Sequence, residues 1–199
     1  PSSKSGSYTG KYAQALNLGI FGADLGYCTS FKQSQDMLEY FAVLGKLSKD
    51  VGIDAAFDPE TGKQLIDNIG KSDTVEMIID NAFDKAEKNL RSNQRVATTC
   101  LVVTGGWVEG LYIACQNLSK APEAKRTAEL YHDIYIHCHA FDYIFSLLDT
   151  YKKEPDCAKL LDEMKDEKII LTAMGKNPKL GPNELAQLTE TVTSLRNKI

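Results

Sequence analysis

Two carboxylates sit in surroundings where carboxylates are rare. Asp24 lies in Gly19-Ile20-Phe21-Gly22-Ala23-Asp24-Leu25-Gly26, and Glu109 in Gly105-Gly106-Trp107-Val108-Glu109-Gly110. A buried carboxylate must be paired or protonated, and two of them brought together can do general acid–base work. The simpler expectation is that each binds a Tyr, Thr or basic side chain inside a helical bundle. All three histidines fall in Tyr131-His132-Asp133-Ile134-Tyr135-Ile136-His137-Cys138-His139-Ala140-Phe141-Asp142, which invites a metal reading. Helical geometry argues against it. Only residues three or four apart share a face at close range, whereas His132 and His137 are five apart and His137 and His139 two. His132 and His139 share a face but stand ~10 Å apart along the axis. Asp133/His137 and His139/Asp142 have helical spacing, but one histidine with one carboxylate is a weak site. The paired Glu-x-x-His motifs of di-iron bundles are missing.

Cys138 between two histidines suggests a Cys–His nucleophile, yet neighbours on a helix diverge by about 100°. The sequence holds no Walker loop, no GxGxxG between strand and helix, no GxSxG and no HExxH. No catalytic residue, metal ligand or cofactor is therefore assigned. The candidates for ligand binding are Asp24, Trp107, Glu109 and His139, with aromatics such as Tyr12, Phe21 and Tyr112 available to line a pocket between the first, fifth and sixth helices.

The glycines beside these carboxylates carry a separate message. Each glycine inside a helix costs about 1 kcal/mol relative to alanine, so several together point to close backbone approach. The expectation is that the first and fifth helices pack directly, with Gly22, Gly26, Gly106 and Gly110 at or near the contact. Asp24, about 200° round the helix from Gly22, should face elsewhere.

The elements that must hold these residues read as helices throughout. Apolar residues recur at helical spacing, as in Met37, Leu38, Phe41, Leu44 and Leu47, or Val75, Ile78, Ile79 and Ala82. Asp58-Pro59 is an N-cap followed by Pro at the first helical position, and Gly70 reads as a left-handed stop. Asp73-Thr74-Val75-Glu76 resembles a capping box. Pro122, Pro155 and Gly181-Pro182 open later helices. The run from Val96 to Thr104 is rich in β-branched residues, but its length and its neighbours favour helix over strand. The fold expected is all-α, a single-domain bundle of seven or eight mostly antiparallel helices over residues 8–199, after a flexible linker at residues 1–7. Ile20, Leu25, Leu44, Ile79, Leu101, Val108, Leu111, Ile134, Phe141 and Leu148 belong to its core. Leu65, Ile66 and Ile69 should be buried by the third helix, Leu130 by the sixth and Ile169 by the seventh.

Composition fits that reading. The chain has 199 residues, 43% hydrophobic and 25% charged, with net charge −4. Disorder is excluded, and no basic face suggests nucleic acid as a partner. Val96 to Cys115 approaches the length of a membrane span, but its threonines, glycines and Glu109 make it the central helix of a bundle rather than a transmembrane helix. The five cysteines show no CxxC or disulfide spacing and read as buried free thiols.

Tyr12 to Tyr27 together with Gly105 to Tyr112 resembles a group of uncharacterised all-helical envelope proteins of Bacteroidetes. The resemblance implies an exported domain, periplasmic or anchored at the outer membrane by a lipid attached upstream of residue 1, though the lipidated cysteine itself is absent and a cytoplasmic location stays open. It implies no activity. The function expected is a non-enzymatic binding or scaffolding module of the cell envelope with a protein or small-molecule partner. The alternative is a small-molecule-binding or enzymatic bundle with an interhelical pocket near Asp24, Trp107, Glu109 and His139.

Overall fold

Helical periodicity governs the fold. A computed structural model describes residues 8–53, 56–92 and 95–199, and contains no strand among them. The expected linker at residues 1–7 lies outside the described residues. The helices are α1 (Lys11–Ser30), α2 (Ser34–Val51), α3 (Pro59–Asp67), α4 (Ser72–Ser92), α5 (Val96–Lys120), α6 (Ala128–His139), α7 (Phe141–Thr150), α8 (Pro155–Met164), α9 (Lys168–Met174) and α10 (Pro182–Lys198). The β-branched run from Val96 is helical, as its length argued.

There are more helical segments than the seven or eight expected, because two expected helices are each broken once. The sixth divides at Ala140 into α6 and α7, and the seventh divides between Met164 and Lys168 into α8 and α9. Pro122 opens only a 3-10 turn at Glu123–Lys125, and α6 begins after Thr127. The chain forms two compact units, Pro1–Gly106 and Trp107–Ile199, and α5 contributes to both.

In the first unit α1 packs along α2. Leu16, Leu18, Phe21 and Leu25 of α1 are buried, as are Met37, Phe41, Leu44 and Leu47 of α2. Gly52 ends α2 at φ 79, in the left-handed region that suits glycine. Asp58 caps α3 as expected, accepting a hydrogen bond from the Thr61 amide at 2.7 Å, and that bond holds its carboxyl below the ordinary range. Gly70 is left-handed at φ 90. Asp73 falls inside the first turn of α4, which starts one residue earlier. Ile66 and Ile69 are exposed rather than buried. The inward stripe of this short helix is Thr61 and Leu65. Ile66 lies about 100° off that stripe, and Ile69 lies beyond the helix end.

Backbone meets backbone where α1 crosses α5. A Cβ on Gly19 would lie 2.0 Å from the Val102 carbonyl oxygen, and one on Gly105 would lie 2.1 Å from that of Leu16. Direct packing of these helices was expected, but the glycines that permit it are Gly19 and Gly105, with Gly106 beside Gly19. Gly22 instead faces the Phe83 ring, and Gly26 has open space around it.

In the second unit Val108, Leu111 and Cys115 of α5 join Ile134, Cys138, Phe141, Leu148, Leu160, Met164, Leu188, Val192 and Leu195 in a buried core. The ten residues assigned to the core, from Ile20 to Leu148, are each buried in their unit. Leu130 and Ile169 are corrections, since both are exposed. The inward stripe of α6 begins at Ile134, one turn after Leu130. In α9 the buried residues are Leu171 and Met174, which puts Ile169 about 200° from Leu171. Gly181 opens α10 with its amide donated to the Glu184 carboxylate at 3.1 Å.

Candidate functional site

Glu109 is 2% exposed and forms a two-pronged ion pair with Arg196 of α10. Arg196 Nε donates to Oε2, and Nη2 donates to Oε1 at 3.0 Å. The guanidinium also lies over the Tyr112 ring, 4.5 Å from its centroid. Fork-to-fork geometry with a stacked aromatic beneath it is the arrangement that best compensates a buried charge. Both carboxylate oxygens are occupied, so the charge of Glu109 is answered inside the fold.

Trp107 and His137 exchange hydrogen bonds. The indole Nε1–H donates to the His137 carbonyl at 2.9 Å, and the imidazole Nε2 is 2.9 Å from the Trp107 carbonyl. A carbonyl only accepts, so Nε2 carries a hydrogen. The rings stack with centroids 5.8 Å apart. Gly110 makes room, since a Cβ there would lie 3.0 Å from the imidazole Cε1. The indole thus takes a carbonyl in the last turn of α6, just before the chain breaks at Ala140. Burial holds the His137 pKa below its ordinary value, with the Trp107 carbonyl opposing that shift. A histidine depressed in the fold binds its proton first in the unfolded chain. Its contribution is therefore complete above pH 6.5 and is lost as pH falls from there through the folded value. Replacing His137 by Gln keeps an amide donor but removes the titration. The stability gap between parent and H137Q, read by urea unfolding, is expected to shrink between about pH 7 and about pH 5.

His139 is exposed. Its Nδ1 pairs with the Gly175 carbonyl at 2.9 Å, and its ring lies between Tyr135 and Tyr143. Gly175 closes α9 at φ −67 and serves by close approach, because a Cβ there would meet the Cys138 carbonyl oxygen at 2.8 Å. His132 stacks on Tyr135 at the exposed surface. Among the described residues no group of three His, Cys, Asp or Glu side chains converges on a common point.

Of the four residues singled out in the sequence, Trp107, Glu109 and His139 thus belong to the second unit, each with its own internal partner. Asp24 belongs to the first unit. It is half-buried on α1, and its charge helps burial and Asp36 to raise the Cys28 pKa to about 11. The second deeply buried carboxylate is Glu167, which accepts from Ser194 at 3.2 Å and pairs with Lys198 at 2.8 Å. Its setting in Lys165-Asp166-Glu167-Lys168 gave no sign of burial. The five cysteines are buried thiols outside any disulfide, as expected. Burial pushes Cys115 and Cys138 up to about 12, which keeps them protonated at neutral pH and poor nucleophiles.

The other feature suited to a ligand lies wholly in the first unit. A cleft of about 290 Å³ opens between α1, α4 and α5, bounded by Leu18, Ile53, Phe57, Phe83, Leu90 and Val102. Small residues create its space, with Gly19, Gly22 and Ala23 on α1, Ala86 on α4 and Gly106 on α5. No lining side chain carries a charge or a hydrogen-bonding group. A wider hollow of about 600 Å³ beside α2 and α3 includes Lys49 and Asp58, but Asp58 is already committed to capping α3. None of Asp24, Trp107, Glu109 and His139 lines this cleft; α4 rather than the sixth helix supplies its third wall, and its aromatic rings are Phe57 and Phe83.

In the second unit Glu109, Trp107 and His137 are thus engaged by internal partners, while the first unit keeps an apolar space that its own side chains leave unfilled. Compared with protein-family models, with curated proteins and with solved structures, the chain matches none.

Proposed function

We propose that this chain is a non-enzymatic helical binding module that takes an apolar ligand in the cleft between α1, α4 and α5. The observation that carries the reading is the cleft lining, which is apolar on every wall and offers no group that could transfer a proton or attack a substrate. Apolar pockets of this size are the usual form of small-molecule sites. The internal pairing of Glu109 with Arg196 and of Trp107 with His137 supports the same reading, because it leaves these groups as structural elements. The enzymatic alternative needs those groups open toward a substrate. The envelope location belongs to the same proposal and rests on the resemblance of the Tyr12–Tyr27 and Gly105–Tyr112 segments.

Nile red, a neutral dye that brightens in apolar sites, tests the reading. The parent protein is expected to bind it at one saturable site. Ala86→Leu puts a larger side chain into the cleft from a half-exposed helical position, and should weaken binding about tenfold, or ~1.4 kcal/mol, with the helical circular dichroism unchanged. Ala23→Leu fills the cleft from α1 and serves as the second variant. Unchanged dye affinity in both variants would remove the cleft as the binding site.

A further inference from the structure

We infer that the cleft takes a single alkyl chain ending in a carboxylate, with the carboxylate held at its rim by Arg95. This rests on the reading of the cleft as a binding site and adds the ligand's chemical class. Three observations lead to it.

The first is the shape and chemistry of the cleft. Its volume of about 290 Å³ is roughly twice the ~150 Å³ that houses benzene in an engineered apolar cavity. The part of a ligand that enters must be mainly hydrocarbon, since no lining side chain offers it a hydrogen bond. Gly19, Gly22 and Gly106 let a slender chain lie close against the helix backbones.

The second is the position of Arg95 and the donors it leaves unpartnered among the described residues. Its Nη1 donates to the carbonyls of Val51 at 2.5 Å and Gly52 at 3.0 Å, immediately before Ile53 of the cleft. Its backbone amide bonds the carbonyl of Leu90, another cleft residue, at 3.3 Å. The guanidinium is thus tied to the chain just before Ile53, and the Arg95 backbone to Leu90. Nε and Nη2 make no hydrogen bond to any described residue. Arg126 is the useful comparison, because it caps the end of α5 with both its Nε and its Nη2, at 2.9 Å to Ala121 and 2.7 Å to Ser119. Arg95 keeps two donors of its fork without a partner among the described residues, and that fork matches a carboxylate.

The third is the helix that follows. Arg95 directly precedes α5, and its carbonyl accepts the Thr99 amide at 2.9 Å. The positive end of a 25-residue helix therefore begins at the Arg95 backbone. Val102 lies seven residues further on, ~10 Å along the axis, a span that a medium-length alkyl chain can cover with its head at Arg95 and its tail between α1 and α4.

Calorimetric titration of the whole chain with decanoate and with decanol tests this. The two probes share a ten-carbon chain and differ in head-group charge. Decanoate is expected to bind about tenfold more tightly than decanol, the difference one charge-assisted pair supplies. In Arg95→Gln that gap should close while decanol affinity stays within about twofold of the parent. Arg95→Lys, which keeps the charge but not the fork, should retain part of the gap. Ala86→Leu should weaken both probes together. Equal affinities in the parent, or a gap that survives in R95Q, would overturn the carboxylate assignment while leaving the cleft as a site. Nile red binding insensitive to Ala86→Leu and to Ala23→Leu would instead overturn the cleft itself, so the two failures read differently.

Discussion

Gly105→Ala is expected to cost at least about 3 kcal/mol of stability, although alanine is the better helix former by about 1 kcal/mol. The added methyl would lie 2.1 Å from the Leu16 carbonyl oxygen and 3.0 Å from its carbon. Both atoms are backbone, so no rotamer change relieves the clash, and α1 and α5 must move apart along their whole contact. Gly19→Ala meets Val102 in the same way and should behave alike. Gly26→Ala provides the opposite sign on α1. Nothing lies within 4 Å of the point its methyl would occupy, so helix propensity alone should stabilise by about 1 kcal/mol. Urea midpoints for the three variants check the argument. Equal midpoints would show that the crossing is looser than the backbone distances state.

Arg196→Met should destabilise by about 3 kcal/mol, because it keeps the apolar stem over Tyr112 but strands the Glu109 carboxylate in the core. Removing one partner of a buried pair costs about 3–5 kcal/mol, and Arg196, at 29% exposed, belongs at the low end. Arg196→Lys keeps the charge without the two-pronged geometry and should fall between. The double variant Glu109→Met/Arg196→Met should recover most of the loss, since apolar replacement of a buried pair is often neutral. Thermal unfolding of the parent and these variants measures this. A double variant no better than the single would mean that the pair contributes well beyond neutralising its own charges.

The helical class and the core were legible because burial follows a 3.6-residue period, and residues such as Leu44, Val108, Ile134 and Phe141 sit on that period in long segments. The failures came at ends and breaks. Ile66, Ile69, Leu130 and Ile169 lie in short helices or terminal turns, where a stripe of two residues decides the facing and one position of error turns a side chain outward. Next to the break at Ala140 the His137 carbonyl accepts a hydrogen bond from Trp107, thirty residues earlier in the chain, and local propensity carries no trace of that contact. Glycine content correctly announced close approach of α1 and α5, but the register within Gly19–Gly26 depends on which face α5 meets. Glu109 was visible as a buried charge. Its partner Arg196 was not, because an arginine near the end of an amphipathic helix looks like any surface cation. The cleft was the least legible feature, since a space is defined by what several distant segments fail to fill.

The reading stands or falls on where an apolar ligand lands. Methyl-resolved NMR of the chain titrated with decanol answers this directly. The account predicts that methyl signals of Ile53, Leu90 and Val102 shift together and saturate at one stoichiometry, while the Trp107 indole N–H signal stays in place. A moving Trp107 indole signal with unmoved Ile53, Leu90 and Val102 methyls would contradict it and return the search to the polar groups of the second unit.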